Sequence, residues 1–137
     1  MNAHARIPYH YALLRVVPHV HTGAFVNVGV VVHARTAEFL GMRAITDVDA
    51  LRRLAPAVDI ELLTRYLDVY RGICEGDERA GPIALLSRSE RFHWLSAPRS
   101  DVLQPSPVHM GLCTDPVQAL DDLFRTILPD SAAAQQS

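Results

Sequence analysis

Lysine is absent from this chain: all 13 basic residues are arginine. GC-rich coding, which favours Arg and Ala, explains that bias more simply than a selected arginine surface. Charge of one sign is not in excess. The formal net charge is -2, with 15 acidic residues, so bulk electrostatics give no reason to expect strong nucleic-acid binding. Cysteine is scarce. Cys74 and Cys113 lie far apart and form no CxxC or zinc-finger spacing. Two free thiols in a reducing compartment are the expectation. The opening "MNAHARIPYHY" lacks the apolar centre of a signal peptide. No apolar run approaches the ~20 residues needed to cross a bilayer, so the expected location is cytoplasmic, away from membranes. No GxSxG, P-loop, GxGxxG or HExxH occurs. That removes the common nucleophile-elbow, nucleotide-cradle and zinc-hydrolase signatures.

What is present is apolar surface. Of 137 residues, 49% are hydrophobic, enough for one domain with one core and not a disordered chain. One domain over residues 1–128 is expected, with 129–137, "PDSAAAQQS", a disordered tail. Residues 9–20, "YHYALLRVVPHV", are rich in β-branched and aromatic residues. "HTGA" then supplies a turn, and residues 25–34 follow as a second strand. Residues 38–45, "EFLGMRAI", complete a three-stranded meander.

The period then changes. Thr46 with Asp49 reads as a variant capping box before a short helix that Pro56 ends. Asp59 opens a longer helix whose stripe is Ile60, Leu63, Leu67 and Tyr70, widened by Leu62, Tyr66 and Ile73. Gly76 stops it. Pro82 begins a short helix in "PIALLSRS". "RFHWLSAP" alternates like a strand, with Phe92 and Trp94 on one side. Thr114 caps a last helix with the stripe Val117, Leu120, Leu123, Phe124 and Ile127. The predicted class is α+β: an antiparallel sheet begun by the meander, with helices packed mainly on one face.

"FVNVGVVV", residues 25–32, places two poor strand formers in a valine strand. Simple alternation puts Val26, Val28, Val30 and Val32 on a core face. It puts Phe25, Asn27, Gly29, Val31 and His33 on the other, and a bulge would flip the assignment. The same alternation brings Arg15, Asn27 and Arg43 to one mixed face. Asn27 could equally bond a loop carbonyl, but half-buried Arg needs an anionic partner. The segment "PRSDVLQPSP" holds three prolines and cannot be a single central strand. It is expected to fold over the mixed face, bringing Arg99, Ser100 and Gln104 there in a pocket walled by Arg15, Arg99 and His93; Ser106, between His93 and His109, is a further ligand-binding candidate. Arg99→Ala would then remove binding and spare stability; the rival view has Arg99 pairing with Asp101 or a loop carbonyl. His93 and His109 flank this segment and are the catalytic candidates, because imidazoles beside Arg and Ser could bind phosphate and move protons. They match no catalytic motif; the two-histidine phosphoesterases repeat His-x-Ser/Thr, unlike "HWL" and "HMG" here. His19 and His21, with no nearby carboxylate, do not make a metal site. No metal or cofactor is expected.

The segments "YALLRVVPHV" with "FVNVGVVV", "RFHWLSAPRS", "QPSPVHMGLC" and "DPVQALDDLF" carry a resemblance. Together, over residues 9–128, the chain resembles the bacterial domain-of-unknown-function family 3037. The resemblance implies a stand-alone cytoplasmic protein and no catalytic residues to carry over. It also implies a gene setting beside a kinase resembling the HipA toxin. The leading expectation is a small binding or regulatory protein, accessory to a HipA-like kinase or another protein partner. The alternative is an enzyme on a phosphate-containing ligand, a nucleotide or RNA, using His93 and His109. Plain nucleic-acid binding through Arg15, Arg43, Arg91 and Arg99 is disfavoured by the acidic balance.

Overall fold

The computed structural model describes residues 5–19, 24–99 and 101–128. Residues 21–23 of the expected turn at 21–24, His21 among them, lie outside these, as do Ser100 and the tail. The meander forms as predicted. Strands β1 (Ile7–His19), β2 (Ala24–Ala34) and β3 (Phe39–Ala44) are joined antiparallel. Two short strands, β4 (Leu103–Pro105) and β5 (His109–Cys113), add to the outer edge of β1. β4 pairs with Leu14–Val16 and β5 with Ile7–Tyr11. They lie end to end along one long strand, so the sheet order is β3-β2-β1 with β4 and β5 sharing the last edge. The fold is α+β with an antiparallel five-stranded sheet and four helices.

The bulge decides which residues face which way. Leu14 pairs with Gly29, but Arg15 pairs with Asn27, leaving Val28 without a partner on β1. An extra residue in one strand reverses the alternation beyond it. The four valines therefore do not share one face. Val28 packs in the larger core with Val16, Val26 and Val31, whereas Val30 and Val32 pack with Leu120 on the other side. The sheet is covered on both faces, which is why Val28 and Val30–Val32 are all fully buried. Gly29 has a steric reason as well. A Cβ there would lie 2.8 Å from the Arg43 carbonyl oxygen and 3.1 Å from the Ala44 Cβ, so β3 could not approach.

Three helices cover one face: α1 (Val48–Leu54), α2 (Ile60–Glu75) and α3 (Arg88–Ser96). The fourth, α4 (Pro116–Ile127), lies against β2 and β3 and closes the other. Gly41 lets α4 settle, since a Cβ there would meet the Leu120 Cδ2 at 3.0 Å and the Phe39 ring at 2.5 Å. The α2 stripe is as expected, with Leu63, Leu67, Tyr70, Ile73 and Cys74 buried. Asp59 caps its start and Gly76, at φ 73°, ends it.

Several local expectations are corrected. Asp47, not Thr46, caps α1 by accepting from the Asp49 and Ala50 amides. Asp115, not Thr114, caps α4. In each case the aspartate stands directly before the helix, where its carboxylate accepts from the free amides and answers the positive end of the helix dipole. "PIALLSRS" is a 3-10 turn over Pro82–Leu85 followed by a new cap. "RFHWLSAP" is helical, not extended. Ser87 accepts from the Glu90 amide at 3.2 Å, and its hydroxyl donates to the Glu90 carboxylate at 2.8 Å, a serine N-cap that starts α3. Phe92 and Leu95, three apart, are its buried residues. Arg91 fastens α3 to α2 by donating from Nη1 to the Ile73 and Cys74 carbonyls, both at 3.0 Å. A cation at the α2 C-terminus answers its macrodipole.

Candidate functional site

The proline-rich segment does not lie over the sheet. Its β4 piece joins the sheet in plane, because β1 offers an open edge there. Ser106 makes the joint. Its amide donates to the Leu13 carbonyl at 2.8 Å, and its Oγ accepts from the Leu13 amide at 2.8 Å. The Ser106 hydroxyl then donates to the Pro107 carbonyl at 2.9 Å. Its polar atoms are thus occupied in holding the edge where β4 gives way to β5. Gln104 sits opposite Arg15 and donates to the Asp101 carbonyl at 3.1 Å.

Arg15 and Asn27 are brought together as register partners. The Arg15 guanidinium lies 4.2 Å from the Phe25 ring centroid and its Nη2 reaches the Pro105 carbonyl at 3.5 Å. The Arg15 Nε and the Asn27 Oδ1 are buried with no hydrogen-bond partner. Arg43 shares their face by register, since it pairs with Val30, but its Nε donates to Asp121 of α4 at 3.1 Å. A cavity of about 510 Å³ at the sheet edge collects Arg15, His93, Ser96, Pro105 and Ser106. Neither His109 nor Arg99 lines it. His109 is exposed and packs on Tyr11, ring centroids 5.2 Å apart. The two histidines proposed for catalysis therefore sit in different surroundings.

Arg99 turns instead toward α2. Its Nη1 donates to the Tyr70 hydroxyl at 2.5 Å, its Nη2 donates to the Trp94 carbonyl, and its guanidinium stacks 4.1 Å from the Trp94 ring centroid. Tyr70 and Trp94 meet edge to face at 5.6 Å. Burial pushes the Tyr70 hydroxyl above its ordinary pKa, and the adjacent Arg99 charge opposes that rise. Outside this frame opens a cleft of about 550 Å³, walled by Leu62, Tyr66, Val69 and Trp94 with Arg65 and Asp101 also lining it. The Arg65 side chain is exposed and makes no hydrogen bond or ion pair with any described residue.

Leu62 and Tyr66, which widen the α2 stripe, are half-buried cleft walls together with Trp94, and Tyr66 and Trp94 also pack against the main core. The available signal was the width of that stripe. Apolar residues at 60, 62, 63, 66, 67, 69, 70 and 73 span more of a helix than one sheet can cover.

Neither cysteine is primed for nucleophilic chemistry. Burial pushes the Cys74 thiol up to about 12 and also raises Cys113. No described helix is long and apolar enough to cross a membrane. A search among curated proteins finds no match, and a search among solved structures finds none. A family model does match, over residues 11–128. The chain therefore belongs to the family described as Protein of unknown function (DUF3037).

Proposed function

We propose that this protein is a small cytoplasmic binding module that docks an acidic protein segment in the cleft between α2 and α3, and that it acts as an accessory to its partner. The observation that carries this is the cleft itself: an open, aromatic-walled groove with an unpaired arginine beside it. Aromatic rings and arginine are the side chains on which docking energy concentrates. Arg99 supports the groove from behind, stacked against Trp94. Arg65 remains available to meet a carboxylate at the rim. The separation of His93 from His109 favours binding over phosphate chemistry. The family resemblance puts a HipA-like kinase first among the partners to test.

The test is co-expression with a HipA-like kinase from the same genome, followed by co-purification. Arg65→Glu and Val69→Arg change exposed positions of the cleft and leave the core intact. Each is expected to lower recovery of the complex at least tenfold, about 1.4 kcal/mol, with unchanged melting. Full recovery with both variants would rule the cleft out. Failure of the wild type to retain the kinase would rule that partner out.

A further inference from the structure

A second cluster lies at the other end of the sheet, away from the cleft. His10 of β1 and His33 of β2 are register partners, so their side chains stand side by side on the face that α3 covers. Phe92 of α3 stacks on the His33 ring with centroids 5.3 Å apart. Arg88 is one helical turn before Phe92 and hence above the same spot. Arg35 begins the 3-10 turn two residues after His33. The ends of this row are apolar: Leu40 pairs with His33, and Met110 pairs with His10.

Four arginines elsewhere are held in ion pairs: Arg43 with Asp121, Arg52 with Asp49, Arg79 with Asp77 and Arg125 with Asp122. The side chains of Arg35 and Arg88 are exposed and make no hydrogen bond or ion pair with any described residue. The groups that act on His33 are His10 from β1, Arg35 from the turn and Arg88 from α3, all of one sign. Glu90 is the one carboxylate within α3; it accepts from the Ser87 hydroxyl and is not among the charged groups that act on His33. In a chain whose acids outnumber its arginines, two forked guanidiniums and two imidazoles are left around one spot without a counter-charge.

We infer that His10, His33, Arg35 and Arg88 form a binding site for a doubly charged tetrahedral oxyanion of the phosphate-monoester class. Guanidinium forks suit such oxygens, and an imidazole beside them donates a further hydrogen bond. Burial and the neighbouring cations hold His33 below the ordinary imidazole pKa. A bound dianion would reverse the electrostatic part of that, so anion binding and His33 protonation are coupled. The inference is independent of the cleft and of any kinase partner.

The experiment follows the imidazole signals of His33 and His10 by NMR across pH, in millimolar sulfate and in chloride of equal ionic strength. Sulfate stays doubly charged throughout, so its own titration does not intrude; inorganic phosphate is then tried at one pH as the second probe. The expected result is a rise of about half a pH unit in the His33 midpoint in sulfate, a roughly threefold preference for the charged form. The double variant Arg35→Gln/Arg88→Gln is expected to lose that rise. Without sulfate its His33 midpoint should move up, because two cations are gone. Arg65→Glu, in the cleft, should leave the sulfate response unchanged. Equal midpoints in sulfate and chloride would overturn the inference. So would a sulfate response that survives in the double variant.

Discussion

Removing the Arg99 side chain should destabilise the protein, and the size of the loss follows from its contacts. Arg99 donates to the Tyr70 hydroxyl at 2.5 Å and to the Trp94 carbonyl, and it stacks 4.1 Å from the Trp94 ring. Each charged hydrogen bond contributes about 1.5–3 kcal/mol where water is shielded, and the stacking about 0.5–1 kcal/mol. Arg99 is half-buried, so water replaces part of both in the variant. A net loss of about 2–3 kcal/mol for Arg99→Ala is expected. For a chain of this size that lowers the melting temperature by roughly 6–15 °C. Urea and thermal unfolding of Arg99→Ala, Tyr70→Phe and the double variant form a cycle. Its coupling should be about 1–2 kcal/mol, since both changes break the same bond. A melting temperature within about 2 °C of wild type, together with zero coupling, would show that Arg99 does not hold this frame. Binding loss without destabilisation would restore the view of Arg99 as a ligand residue.

Two further outcomes test the core and the sheet end. Val28→Asp places a carboxylate in the fully buried bulge position and should cost about 4 kcal/mol or more, enough to abolish cooperative unfolding in circular dichroism; wild-type melting would show the position to be exposed. His33 resists protonation in the folded state because of burial and its cationic neighbours, so the unfolded chain binds that proton more readily. The sign follows: its contribution is complete above the ordinary imidazole pKa and is lost as pH falls through the folded value. Urea midpoints should therefore drop less steeply between about pH 8 and pH 5 in His33→Gln than in wild type, and parallel curves would refute the assignment.

Periodicity was enough for much of the fold. The α2 stripe is legible because its buried residues, Leu63 to Cys74, recur over about three turns. The meander is legible because three β-rich runs are punctuated by short polar segments. The bulge at Val28 was not, because the unpaired residue is chosen by hydrogen bonds to β1, distant in sequence. "FVNVGVVV" is fully compatible with unbroken alternation. The α3 misreading has a different cause. "RFHWLS" is too short for a helical period to stand out from an alternating one, and only the Ser87 N-cap marks its start. The edge site is half legible in the sequence: Arg15 and His93, expected to wall one pocket, do line one cavity. Arg99 lies apart from that cavity, against Tyr70 and Trp94, and nothing local in the sequence shows that β4 joins the sheet in plane.

Much of what distinguishes the surface passes through α3. Ser87 and Glu90 start this helix, Arg91 fastens it to the end of α2, and Phe92 seats it on His33. Once those contacts fix its rotation, the remaining side chains have no freedom of placement. Trp94 must face the cleft beside Tyr66 and Tyr70, His93 must face the sheet-edge cavity, and Arg88 must stand over the His10–His33 pair. Residues one apart on a helix point about a quarter-turn or more away from each other, so adjacent His93 and Trp94 serve different surfaces. The same geometry separates His93 from His109, which a strand in this segment would have left free to converge across the sheet. The change from strand to helix therefore moves the centre of interest from a two-histidine reaction to separate binding surfaces around one nine-residue helix.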